Sequence, residues 1–165
     1  MKLFDELDRD MQTNLARILS EAYYETEQPL MAQKYLDIYK AGGAELSRKD
    51  YYFSGIVAYN LNNYSGAIES FSQVLGEKDD LSQNAFYYSA NSHLQNRNKL
   101  AALDCFKSAS EMDFDPVIKE DAFFNYAKLS FDLNKDPKGF TDYISRWSTK
   151  EKGDQIYEYM ALAAL

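Results

Sequence analysis

Hydrophobic residues recur along most of the chain with the three- and four-residue spacing of amphipathic helices. Between Arg48 and Leu75 two such patterns follow one another and are separated by a short polar turn at Asn62 and Asn63. Helical periodicity on both sides of a short turn is typical of two antiparallel helices. The pattern therefore predicts a helical hairpin in this stretch.

The same helix–turn–helix pattern recurs along the chain with a period in the mid-thirties. Small residues anchor the first helix of each unit at spacings of 35, 35, 37 and 34, at Ser20, Gly55, Ala90, Ala127 and Ala161. A second series marks the second helix, at Ala32, Ala67, Ala102 and Gly139. Such units bury their hydrophobic faces by stacking, so the period predicts a helical repeat array.

The small residues are predicted to lie where the two helices of a unit approach closely, since a larger side chain there would force the helices apart. Four residues later in each second helix comes a bulky side chain, at Leu36, Phe71, Phe106 and Tyr143. This side chain shares a helical face with the small residue. We expect it to fill the space toward the next unit.

Prolines, glycines and a capping pattern predict the helix boundaries. Pro29, Pro116 and Pro137 all stand at predicted helix starts, where proline is tolerated. Ser47 with Asp50 three residues later resembles a capping box. The boundaries give one array over 1–165, with a partial preceding helix at 1–12, units at 13–47, 48–82, 83–119 and 120–153, and a first helix at 154–165.

Both ends of the chain fall within a unit, which indicates a fragment of a longer array. The last helix is apolar, whereas a terminal repeat carries a polar outer face. We expect exposed Met160, Leu162 and Leu165 to promote self-association. The full-length architecture stays open at this point.

Composition and charge narrow the possible partners. A net charge of -8 argues against nucleic acid, because binding phosphates needs clustered Lys and Arg. The start has no apolar stretch behind Lys2 and does not resemble a signal peptide, and no apolar run is long enough to span a membrane. The 14 Tyr and 10 Phe make the chain unusually aromatic, so the rings need an explanation.

Catalytic and metal-binding groups are scarce. The chain has one histidine, His93, and one cysteine, Cys105, and no glycine-rich phosphate loop. We interpret His93 as a histidine packed between helices and Cys105 as a small hydrophobic residue. No catalytic residues, metal site or cofactor is predicted, and we expect a protein that is not an enzyme.

The repeats resemble the tetratricopeptide repeat (TPR) family. The family's ladder of aromatic, small and alanine positions is clearest at Tyr51, Gly55, Tyr59, Tyr64, Ala67, Phe71 and Val74. The resemblance implies an all-α right-handed superhelix of antiparallel helix pairs that serves as a protein-binding scaffold. The run 112–133 also resembles long TPR proteins of bacterial cell envelopes, which favours the periplasm or envelope over the cytoplasm.

The resemblance further implies a concave groove, lined by the first helices, that binds an extended peptide or partner segment. Transferred onto this chain, the groove comprises Tyr24, Tyr52, Phe53, Tyr59, Tyr87, Tyr88, Asn91, Leu94, Phe124, Asn125, Lys128 and Phe131. Packing between helices explains any single ring, whereas the set exceeds what packing needs. A glycan-binding module and the assembly arm of a larger enzyme remain alternatives.

Two asparagines of the predicted groove match a clamp that some TPR cochaperones use to bind a C-terminal carboxylate. They are Asn91 and Asn125. However, Tyr87, Gln155 and Tyr159 stand where that clamp needs basic residues. A carboxylate without cationic partners is poorly paired, which argues against this ligand.

Overall fold

A computed structural model describes the chain from Lys2 to Ala163, with side chains from Phe4 onward. This part of the chain forms helices joined by turns and contains no strand, which confirms the predicted all-α class. The helices are α1 (Lys2–Asp5), α2 (Arg9–Glu25), α3 (Pro29–Ala41), α4 (Arg48–Asn60), α5 (Tyr64–Ser72), α6 (Asp80–Gln95), α7 (Lys99–Ser110), α8 (Pro116–Asn134), α9 (Lys138–Trp147) and α10 (Lys150–Leu162).

The helices fall into two compact units, Met1–Val74 and Leu75–Leu165. In the first unit α2 packs on α3, α3 on α4, and α4 on α5. In the second unit α6 packs on α7, α7 on α8, and α8 on α9, with α10 beside α9. Each unit is therefore a succession of helical hairpins.

The four turns within the hairpins share a left-handed residue at the equivalent position. Glu27, Asn62, Arg97 and Lys135 have φ between 58° and 60°. In the first three turns, the next residue's N–H bonds the carbonyl five positions back, at 2.8–2.9 Å. This bond closes a Schellman-type helix end, so the same turn geometry recurs in these three hairpins.

Capping side chains explain where the helices begin. The predicted capping box at Ser47 and Asp50 is present, with both reciprocal bonds formed. Asp8 caps α2 by accepting from the N–H of Met11, so this helix begins at Arg9 and includes part of the segment predicted to precede it. Thr149 caps α10, which consequently starts before the predicted residue 154.

Two of the small residues lie at very close approaches. A Cβ added at Gly139 would lie 2.9 Å from both Cα and Cβ of Ala127, so α8 and α9 nearly touch there. A Cβ at Gly55 would lie 2.4 Å from the Phe71 ring. Phe71 thus packs against the first helix of its own hairpin. Ala161 departs from the series because it is exposed.

Candidate functional site

One surface of the second unit brings together polar and aromatic side chains from α6, α8 and α10. Helix α8 lies between the other two and bonds both of them through side chains. All three are first helices of the repeat, the elements predicted to carry the groove. The contacts along α8 form three clusters.

The first cluster joins α6 to α8 through a tyrosine and a carboxylate. Tyr87 Oη donates to Asp121 Oδ2 at 2.6 Å, and Asn125 Nδ2 donates to the same oxygen at 3.0 Å. Partial burial is the main cause, and the hydrogen bond to Asp121 the second, that raises the pKa of Tyr87 to about 12. The phenol therefore stays protonated at ordinary pH and holds the carboxylate in place.

The second cluster places a lysine from α10 over aromatic rings. Tyr143 Oη donates to Glu120 Oε1 at 2.8 Å and accepts from Lys152 Nζ. The ammonium lies 3.7 Å from Glu120 Oε1, 4.9 Å from the Tyr143 ring centroid and 5.6 Å from that of Phe124. The hydrogen bond to Tyr143 is the main cause that raises the pKa of Lys152, so this side chain is a cation.

The third cluster again combines a lysine, a carboxylate and a tyrosine, and its carboxylate, Asp132, lies twelve residues beyond Glu120 on α8. Lys128 Nζ lies 3.5 Å from Asp132 Oδ2 and 5.6 Å from the ring centroid of Tyr159 on α10. Tyr159 Oη donates to Asp132 Oδ1. That bond, together with burial, raises the pKa of Tyr159 to about 12. A second ammonium therefore lies above an aromatic ring, and the side chain of this lysine, Lys128, is 46% exposed.

Two clefts lie beside these clusters. The apolar cleft has a volume of about 230 Å³ and is lined by Phe124, Lys128, Phe140, Lys152, Gln155, Ile156 and Tyr159. The acidic cleft has a volume of about 370 Å³ and is lined by Val117, Glu120, Asp121, Phe124, Tyr143 and Lys152. Because Phe124 and Lys152 line both, the two clefts are neighbours that share a wall.

Other predicted groove residues of this unit have structural contacts. Phe131 is 5% exposed and packs against Phe140, so its ring lies inside the core instead of on the groove surface. Asn91 Nδ2 donates to the carbonyl of Tyr87 on its own helix at 3.0 Å. Tyr88 is half-buried with its ring at right angles to that of Tyr87, and Leu94 is a half-buried core residue.

The four groove residues predicted in the first unit are half-buried and contact other aromatic residues. Tyr24 packs edge-on against Phe53 at 5.5 Å and accepts a hydrogen bond from Asn60. Tyr52 packs against Phe71, and Tyr59 packs against Tyr64 across the turn. These rings therefore contribute to packing within the first unit.

Sequence reasoning missed three charged residues that line the clefts, Glu120, Asp121 and Lys152. A signal for the first two was present, because Glu120 precedes Phe124 by four residues and Asp121 precedes Asn125 by four, which places each pair on one face of α8. No comparable signal pointed to Lys152. Its role depends on how α10 lies against α8, which spacing within one helix does not specify.

His93 and Cys105, the only histidine and cysteine of the chain, line neither of the two clefts. Burial lowers the pKa of half-buried His93, and burial raises the pKa of Cys105 to about 11. Between Phe4 and Ala163, the side chains form no group of three or more His, Cys, Asp or Glu placed to hold a metal ion. Over the same part of the chain, every helix is too short or too polar to cross a membrane.

No protein-family model matches the chain, and no curated protein matches it either.

Proposed function

We propose that this chain is a non-enzymatic scaffold that binds a segment of another protein, with the apolar cleft of the second unit as a principal contact. We also propose that its hairpins are repeats of the tetratricopeptide kind, the class that builds a right-handed superhelix. The recurrent period, the repeated left-handed turn and the small residues at close approaches support this assignment.

The observation that carries the proposal is an apolar cleft with two lysines among its lining residues. Its volume of about 230 Å³ is below the roughly 300–1,000 Å³ usual for sites that enclose a small molecule. A cleft of this size suits one apolar side chain of a longer ligand. The lysines then provide polar contacts beside that side chain.

The walls of the cleft are held in place before a ligand arrives. Tyr159 is bonded to Asp132, and Lys152 is bonded to Tyr143, which is itself bonded to Glu120. Each side chain fixed in this way lowers the entropy lost on binding, by about 0.5–1.5 kcal/mol per flexible side chain. Preorganisation is therefore the mechanism by which we expect this surface to gain affinity.

The contacts of Phe124 favour a protein segment over a glycan. Sugars bind aromatic residues by stacking on an open ring face, whereas the ammonium of Lys152 already lies 5.6 Å above this ring. A stacked sugar would have to displace that cation and its contact with Glu120. An apolar side chain can enter the cleft beside the ring without disturbing either contact.

The proposal is tested by screening the protein on a peptide array and on a glycan array. Gln155 is exposed and lines the apolar cleft, so Gln155→Trp is expected to obstruct it at a stability cost within about 0.5 kcal/mol. Glu158→Trp places the same ring on an exposed position of α10 outside the cleft lining and serves as the matched control.

We expect peptides to bind, Gln155→Trp to weaken that binding about tenfold or more, and Glu158→Trp to leave it unchanged. Binding of glycans alone would refute the proposal. Equal peptide binding by both variants would show that the apolar cleft is not the contact.

A further inference from the structure

We infer that the ligand segment carries an apolar side chain with an acidic residue on one side and a basic residue on the other. This inference rests on the proposed function and specifies the chemistry of the segment. It follows from the opposite charges that line the two neighbouring clefts.

The apolar cleft is positively charged. Lys128 and Lys152 both line it, and its other lining residues are apolar or uncharged. Both lysines are about half exposed, at 46% and 47%, so an incoming carboxylate can reach them. Asp132 pairs with Lys128 at 3.5 Å but does not line the cleft, which leaves the ammonium accessible from the ligand side.

The acidic cleft has the opposite charge. Glu120 and Asp121 line it together with Lys152, the cation it shares with the apolar cleft. The hydrogen bonds from Tyr143 and Tyr87 hold these carboxylates in fixed positions. Asp121 accepts from Tyr87 and Asn125, and Glu120 accepts from Tyr143 with Lys152 Nζ 3.7 Å away. Each carboxylate has about four lone-pair sites, so both keep room for a ligand cation.

The order of charges in the ligand follows from the shared wall. Phe124 and Lys152 line both clefts, whereas Lys128 lines only the apolar cleft and Glu120 and Asp121 line only the acidic cleft. A segment that inserts an apolar side chain beside Phe124 can therefore place one neighbour near Lys128 and another near the two carboxylates. The matching neighbours are an acid and a base respectively. Like charges at either position would meet repulsion instead.

The net charge of the chain makes this pattern selective. A protein of net charge -8 repels uniformly acidic segments at long range. The two lysines of the apolar cleft offset that repulsion only locally. A segment with one acidic and one basic residue avoids the long-range penalty and satisfies both clefts.

The inference is tested with four sets of peptides that share a central leucine and differ only in the flanking residues. The flanks are acidic and basic, both acidic, both basic, or both neutral, and the mixed set is made in both chain directions. Affinities are measured by fluorescence anisotropy at low and high salt. We expect the mixed set to bind about three- to tenfold more tightly than any other, with the advantage reduced by salt.

A charge reversal distinguishes a specific contact from a general effect on the fold. In Lys128→Glu the preference should move from the mixed set to the doubly basic set. Lys107 is exposed on α7 and does not line either cleft, so Lys107→Glu makes the same change in net charge and should retain the original preference. A change in folding alone does not reverse a preference between peptides.

The outcomes separate this inference from the proposed function. A preference for the mixed set that Lys128→Glu reverses supports the inference. Leucine peptides that bind equally whatever their flanks, and that Gln155→Trp blocks, would overturn the charge pattern and leave the scaffold proposal standing. Failure of every peptide to bind would refute both.

Discussion

Replacing Gln83 with methionine is expected to destabilise the second unit by about 3 kcal/mol. The side chain of Gln83 is fully buried on α6 and braces the connection between α7 and α8. Its Nε2 donates to the carbonyls of Ala109, Met112 and Asp115 at 3.1–3.2 Å. Its Oε1 accepts from the N–H groups of Phe114 and Asp115 at 3.2 and 2.7 Å.

The size of this loss in unfolding free energy follows from the number of hydrogen bonds that Gln83 makes and from the exposure of the backbone groups that it bonds. The Gln83 amide has two N–H donors and two acceptor lone pairs, so the five contacts amount to about four full hydrogen bonds. At a net of about 0.5–1.5 kcal/mol each, these give a range of roughly 2–6 kcal/mol. Ala109 is fully buried, whereas Phe114 is 51% exposed and its loop can turn toward water. The lower part of the range therefore applies. Methionine has nearly the same length, so little of the loss comes from a cavity.

Urea unfolding followed by tryptophan fluorescence measures this change. Trp147 is the only tryptophan and packs against Phe123 at 5.1 Å, so it reports on the second unit. Gln95→Met on the same helix is the matched control, because Gln95 is exposed and should shift the free energy of unfolding by no more than about 0.5 kcal/mol. A loss below about 1 kcal/mol for Gln83→Met would refute the bracing role.

Four further predictions concern close packing and protonation. Gly139→Ala should destabilise the second unit by about 1–3 kcal/mol, because the new Cβ would meet the backbone of Ala127 at 2.9 Å. Gly153→Ala should stabilise it by about 0.5–1 kcal/mol, since a Cβ there meets only ordinary contacts from 3.5 Å; urea unfolding measures both changes. Ala67→Leu should lower stability by about 1–3 kcal/mol, because Ala67 is fully buried, and thermal unfolding measures this loss. The pKa of His93, measured by NMR titration, should lie below its ordinary value of 6.5 because burial disfavours the imidazolium.

Each of these predictions has a contradicting result. Equal effects of alanine at Gly139 and Gly153 would contradict the close approach of α8 and α9. An unchanged melting temperature for Ala67→Leu would contradict its packing role. For His93 the unfolded state binds the proton more readily, so stability should fall as pH decreases through 6.5. A pKa at or above that value would contradict its burial.

The sequence predicted the helical hairpins well because their boundaries depend on local chemistry. Pro29 and Pro116 begin their helices, and Ser47 caps α4 as its pattern indicated. The starts of two helices were missed because their capping residues are not part of a capping-box pattern. Asp8 and Thr149 cap α2 and α10 through single side-chain bonds to N–H groups three residues on, and neither is followed by a glutamate or glutamine three residues later.

The candidate site was only partly predictable because it depends on contacts between helices. The resemblance to the TPR family placed Phe124 and Lys128 on the expected surface, and both line the apolar cleft. The same resemblance placed Phe131 there, although Phe131 is buried and packs against Phe140. Lys152 could not be predicted, since its ammonium reaches Tyr143 only through the packing of α10.

The residues of the last helix that we expected to promote self-association differ in their exposure. Leu162 is 64% exposed, whereas Met160 is half-buried and packs on the core around Phe140. Leu165 lies outside the described residues. Any association would therefore use Leu162, and dependence of molecular size on protein concentration, abolished by Leu162→Lys, would test it.

NMR chemical-shift changes on peptide binding test most directly whether the apolar cleft of the second unit is the binding site. A leucine peptide with one acidic and one basic flank is titrated into the labelled protein. We expect the largest changes at the methyl groups of Ile156, the ring of Phe124 and the amide of Gln155. Changes confined to the first unit, such as at Ser54 or Glu69, would contradict the assignment of the apolar cleft as the binding site.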